Sequence, residues 1–204
     1  EGEPRRTMKQ FNTEITGYTV SYNANGGSGA PSSQTKTHGV TLTLSSTKPT
    51  RSGYSFLGWS TSSSATSASY SAGGTFSTNA NTTLYAVWAK NKYTISYNAN
   101  GGSGAPSSQT KTYGLDLTLS STTPTRSGYT FKGWGTSSSS TTASYQPGGK
   151  YTSNSSATLY AVWESNAPTT YTVSYNANGG SGAPSSQTKT HGVTLTLSST
   201  KPTR

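Results

Sequence analysis

The chain has 204 residues, of which only 28% are hydrophobic, 11% are aromatic and none is cysteine. The lack of cysteine excludes a disulfide scaffold and a thiolate metal site, and no stretch is long and apolar enough to cross a membrane. The net charge of +10 is spread along the chain, without the basic cluster that marks specific nucleic-acid binding.

Residues 1–17 read as a poorly ordered leader, with Arg5, Arg6 and Lys9 balanced by Glu1, Glu3 and Glu14. Tyr18, Val20 and Tyr22 then alternate with Thr19 and Ser21. This period of two predicts a strand with one buried face. Asn25-Gly26-Gly27 supplies the residues that a tight turn needs. Val40, Leu42 and Leu44 form a second alternating run and are expected to point inward. Lys48–Gly53 is a turn, and Tyr54-Ser55-Phe56 a third strand. A bulge or sharp bend is expected at Gly58-Trp59. Ser60–Ser69 is a Ser/Thr loop, and Tyr70 and Phe76 flank Gly73-Gly74 as a small hairpin would. Thr83–Trp88 is apolar on both faces and therefore expected to be central. No segment has a helical period.

The pattern then repeats. Tyr93–Trp163 is a second copy of Tyr18–Trp88, and residues 171–204 repeat residues 18–51 letter for letter. The expected organisation is a first module at 18–88, a linker at 89–92, a second module at 93–163, a linker at 164–170, and the first half of a third module at 171–204. Short linkers predict beads on a string with limited swing. The start without Met and the stop inside a repeat read as those of a fragment or a processed piece. The half-module is not expected to form a stable domain alone, since an isolated hairpin is marginal in water.

Comparison of the two copies separates inside from outside. Val20 becomes Ile95, Val40 becomes Leu115 and Phe76 becomes Tyr151, so these positions are expected in the core. Leu57 becomes Lys132, so this position must reach solvent. The expected core is Tyr18, Val20, Tyr22, Leu42, Leu44, Phe56, Trp59, Leu84 and Trp88. Its second-copy counterparts are Tyr93, Ile95, Tyr97, Phe131, Trp134, Leu159 and Trp163. In so small a module aromatics must do most of the filling, at about 150–250 Å² each. Tyr70, Tyr85, Tyr145 and Tyr160 are candidates for stacking on a sugar ligand.

Catalytic inventories are thin. No pair of carboxylates recurs, so acid–base work of the glycosidase type has no residues. His38 and His191 share a repeat position that holds Tyr113 in the second copy, which favours a structural aromatic over a ligand or base. The Asn25–Gly29 loop lacks the Lys-Ser/Thr of a phosphate cradle. An enzyme, a cofactor and a metal site are not expected. The first module's positive charges are Lys36, Lys48 and Arg51. They read as solvation of a Ser/Thr-rich surface, or as a weak attraction for polysaccharide or anionic wall polymer.

The strand Tyr18–Tyr22, the turn Asn25–Gly27, the segment Pro49–Trp59 and the terminal Thr83–Trp88, with their second-copy counterparts, together resemble the Listeria–Bacteroides repeat, a B-repeat type of module. The resemblance covers nearly all of the chain after the leader. It implies compact β-grasp-like modules, mainly β with little or no helix, in tandem on bacterial cell-envelope proteins. It also implies a location at the cell envelope, on the surface or secreted, and carries over no catalytic residue. The leading expectation is a non-enzymatic spacer or stalk built of monomeric modules. The alternatives are an adhesin for glycan, wall polymer or a host surface protein, and a phage fibre repeat.

Overall fold

The computed structural model describes Gly2, Pro4, Glu14 and residues 16–204. The expected lack of order in the leader thus falls largely outside the described residues. Among these residues all regular structure is β-strand. In the first module the strands are β1 (Gly17–Asn23), β2 (Gln34–Thr37), β3 (Leu42–Thr43), β4 (Tyr54–Ser60), β5 (Thr75–Phe76) and β6 (Thr82–Lys90). A four-stranded sheet has the order β2-β1-β6-β4. β6 is central, parallel to β1 and antiparallel to β4, as its two apolar faces require. β3 and β5 pair separately, Leu42 opposite Phe76.

The β4–β6 register slips between Phe56 and Gly58, which marks the expected bulge. Gly58 has φ of 135°, and a Cβ there would lie 2.4 Å from the Tyr70 carbonyl oxygen. Only glycine lets the chain after the Ser/Thr loop cross so close. Trp59 and Tyr70 exchange backbone bonds at that crossing.

Val20, Leu44, Trp59, Phe76, Leu84 and Ala86 form the buried core, with Tyr22, Leu42, Phe56, Tyr70 and Trp88 packed on it. The Trp59 ring meets Tyr22 and Phe56 edge-on, with centroids 4.9 and 5.0 Å apart. Its indole N–H is buried without a partner, as is that of Trp134. Burial of the ring must therefore outweigh an orphan donor that costs about 1–3 kcal/mol.

The second copy repeats the pieces. Its strands are β7 (Lys92–Asn98), β8 (Gln109–Thr112), β9 (Leu117–Thr118), β10 (Tyr129–Gly135), β11 (Lys150–Tyr151) and β12 (Ala157–Ser165). β7 pairs β8, β9 pairs β11, and β10 pairs β12 with the same bulge after Phe131. Trp134 again meets Tyr97 and Phe131 edge-on. The half-module is a hairpin of β13 (Thr170–Val173) and β14 (Gln187–Thr190).

Two expectations need correction. Val40 and Leu115 are 58% and 54% exposed. The Val40 amide closes a turn onto the Thr37 carbonyl, so inward alternation begins only at Leu42. Tyr70 and Phe76 do not pair as a hairpin. Tyr70 bridges to Trp59 and Phe76 pairs with Leu42, although their rings pack 5.3 Å apart. Gln34–Thr37, which has no apolar residue to signal an element, is a strand at the sheet edge, and its Lys36 is buried at 1% exposure.

Candidate functional site

Of the sixteen expected core residues, Val20, Leu44, Trp59, Leu84, Ile95, Trp134 and Leu159 are buried. Tyr18, Tyr22, Leu42, Phe56, Trp88, Tyr93, Tyr97, Phe131 and Trp163 are half-buried. Trp88, Trp163, Tyr18 and Tyr22 keep their polar tips bonded. The Trp88 indole donates to the Ala24 carbonyl, and the Trp163 indole to that of Ala99, each at 2.9 Å. Tyr18 meets His38 Nδ1 at 2.9 Å. Tyr22 donates to Gln34 Oε1 and accepts from the Ser45 amide. Burial raises the Tyr22 and Tyr97 hydroxyls above the ordinary phenol pKa, while bonds from the Ser45 and Ser120 amides pull the other way.

Lys36 is the polar feature least visible in the sequence. Its ammonium donates to the Thr37 carbonyl at 2.8 Å and to Asn79 Oδ1 at 2.9 Å. Asn79 Oδ1 also accepts from the Gly39 amide. Lys111 donates likewise to Thr112 and Asn154. These are neutral acceptors around a buried cation. Arg51 lies 3.8 Å from the Tyr54 ring centroid, within cation–π range. Of the first module's three expected surface charges only Lys48 is therefore freely exposed.

The candidate ligand tyrosines do not form a displayed patch. Tyr70, Tyr85, Tyr145 and Tyr160 are all half-buried. Among the described residues of the first module no aromatic is among the exposed large side chains. Among the described residues no three of His, Cys, Asp or Glu converge.

The feature that joins chemistry to architecture lies where the first two repeats meet. The Asn91 amide donates to the Gly53 carbonyl, and the Asn91 carbonyl accepts from the Tyr113 amide, both at 2.9 Å. Asn91 Oδ1 accepts from Ser55 Oγ at 2.6 Å. The Tyr113 ring lies over Gly53, where a Cβ would come within 2.2 Å of it, and meets Tyr54 edge-on at 5.8 Å. One linker residue thus clamps both modules.

In the next linker those roles are split. The Asn166 amide donates to the Gly128 carbonyl, whereas the His191 amide donates to the Thr169 carbonyl. Three inserted residues separate the two anchors. A Cβ at Gly128 would meet nothing within 4 Å, and Tyr129, unlike Tyr54, is exposed. The tyrosine in place of histidine at position 113, together with the shorter linker, was the signal in the sequence for this junction.

The Listeria-Bacteroides repeat domain matches residues 18–87, 93–162 and 171–204. Two relatives are from Evansella cellulosilytica. One, named "Putative membrane protein", is 38% identical over 75% of this chain and 23% of its own length. The other, named "Putative Gly-rich membrane protein", is 35% identical over 74% of this chain and 18% of its own length. The chain thus spans less than a quarter of either relative. No solved structure matches it significantly. No helix among the described residues is long and apolar enough to cross a membrane. The family and the names of the relatives point to a repeat protein of the cell envelope. The three matched segments cover most of the chain, which belongs to the Listeria-Bacteroides repeat family.

Proposed function

We propose that these repeats are non-enzymatic spacer modules of a bacterial cell-surface protein, holding another part of that protein away from the envelope. The observation that carries this reading is the Asn91 clamp. It couples successive modules through two backbone bonds, a side-chain bond and a ring seated on glycine. A spacer needs such coupling and needs no displayed ligand site. An adhesin that stacks on sugars would need aromatics exposed at the same place in each repeat. The first module displays none, and Tyr129 of the second lies under Arg126 at 3.7 Å. Diffuse binding to wall polymer has little to use where Lys36 is buried and Arg51 is stacked.

Backbone ¹⁵N relaxation on the full chain tests the proposal. Residues 18–88 and 93–163 are expected to share one rotational correlation time, and Tyr113→Ser is expected to separate them. Independent tumbling of the two modules in the unaltered chain would overturn the spacer reading. Salt-resistant binding of a glycan in an array would favour the adhesin instead.

A further inference from the structure

In the first module β1 and β6 are the strands that meet the rest of the chain. Every other strand of the module lies between them in sequence, yet they are neighbours in the sheet and run parallel. Tension along the chain enters at Gly17, the start of β1, and leaves at Lys90, the end of β6. In a parallel pair these points lie at opposite ends of the ladder. The pull therefore slides one strand along the other, and every bond between them carries the load at once. An antiparallel hairpin pulled at its two open ends behaves differently. Its bonds break one after another, each alone against the whole force.

The backbone ladder sets Val20–Asn23 against Thr82–Tyr85. Side chains lengthen it at both ends. Below it, the Thr19 amide donates to Asn81 Oδ1 at 2.9 Å. Above it, Asn25 Nδ2 donates to the Ala86 carbonyl at 3.0 Å, and the Trp88 indole donates to the Ala24 carbonyl at 2.9 Å. Val20 and Leu84, between these ends, are fully buried, so water has no easy access to a stretched bond. On its far side β6 is held along Tyr85–Lys90 by β4. The second module keeps the side-chain bonds even where the residue changes. Ser156 stands in place of Asn81, and its Oγ accepts from the Thr94 amide at 3.0 Å. Asn100 Nδ2 donates to the Ala161 carbonyl as Asn25 does to that of Ala86.

We propose that the first module is a tension-bearing link, in which β1, β6 and the side-chain bonds at both ends of their ladder resist a pull along the chain in shear. This deepens the spacer reading and rests on it for the source of the tension, since a surface spacer is pulled whenever the part it holds out is caught or dragged.

The chain has no cysteine, so two introduced cysteines give unique handles for stretching single molecules of the full chain in an optical trap. Thr16→Cys with Lys90→Cys loads the module as the chain does. Thr16→Cys with Ala80→Cys instead pulls the neighbouring ends of β1 and β6 apart sideways. All three positions are exposed. Forced unfolding follows the unfolding rate along the pulled direction, so the module is expected to open at a force at least about twofold higher in the first geometry. Asn25→Gly tolerates the φ of 48° at this turn and removes the side-chain bonds to Ala86 and Ser63. It should lower the force in the first geometry, where the bonds share the load, and leave the second unchanged, where the Ala86 bond is reached last. Equal forces in the two geometries would overturn the proposal, and this comparison needs no bond altered. So would an Asn25→Gly variant weakened by the same factor in both, which would make the bond one of general stability. Either result leaves the coupling through Asn91 standing, because the relaxation experiment tests that coupling without force.

Discussion

Residues 18–51 and 171–204 are one sequence in two settings, and they differ in what survives. The local features are the same in both. Asn25 and Asn178 each have φ of 48°. Tyr18 meets His38 as Tyr171 meets His191. The Tyr22 hydroxyl accepts from the Ser45 amide as that of Tyr175 does from Ser198. The extended features differ. β1 has seven residues and β13 has four, and the Leu42–Thr43 pairing has no counterpart strand in the half-module. Turns and side-chain caps are written locally. Strand length and burial are supplied by the second half of the repeat, because a pleated surface is stabilised by its neighbours.

The largest expected effect comes from removing what the second half contributes. Trp59→Ala should cost the first module about 3–5 kcal/mol. Exchange at Val20 and Leu44 should then approach that of Val173 and Leu197. The module around Trp134 should keep its protection, since its aromatics form their own cluster. Loss of protection in both modules would show that the cores are not separate.

A smaller change imitates one missing contact. Asn79→Ala takes from Lys36 an acceptor that Lys189 lacks in the half-module. A buried cation losing a partner should cost about 1–3 kcal/mol. Lys36→Met together with Asn79→Ala should recover most of it, since replacing a buried polar pair by apolar volume is often neutral. Denaturant melts of the two singles and the double close that cycle. A double whose destabilisation equals the sum of the two singles would refute the coupling.

The neighbour can be altered without touching either half. Tyr113→His gives the second module the residue of the other two copies. The edge-on contact with Tyr54 would be lost, at about 0.5–1.5 kcal/mol. The effect should appear as faster exchange of the Tyr113 and Asn91 amides, with both cores unchanged.

Legibility followed apolar content. Alternation located Val20 and Leu44, and the doubly apolar run located the central β6. Gly58-Trp59 marked the bulge because only glycine tolerates the Tyr70 carbonyl so close. Gln34-Thr35-Lys36-Thr37 was invisible as a strand because it has no apolar residue. Its Lys36 is buried by donating a hydrogen bond to Asn79, more than forty positions away, which no local pattern encodes. Val40 misled because a hydrophobic residue at the right parity sits in a turn rather than a strand. Leu57 was readable through its replacement by Lys132, which forms a 3.0 Å ion pair with Glu164 on the adjacent strand. The junction was half legible: the unequal linkers were plain, but the double role of Asn91 arises only in the fold.

The smallest expected effect is one of alkaline pH. Tyr22 and Tyr97 are raised above the ordinary phenol value of 10.0, chiefly because burial disfavours the phenolate. The folded state thus holds its protons to higher pH than the unfolded chain does. Stability from this source is fully present below the unfolded value and falls as pH rises through it towards the folded value. Melts in a series of buffers should be flat with respect to these groups at neutral pH and decline above about pH 10. Tyr22→Phe removes the titrating group together with its bonds to Gln34 and Ser45. That variant should be less stable at neutral pH, yet lose less on going to alkaline pH. A decline of the same slope in the variant carrying both Tyr22→Phe and Tyr97→Phe would assign the pH dependence to groups other than these two hydroxyls.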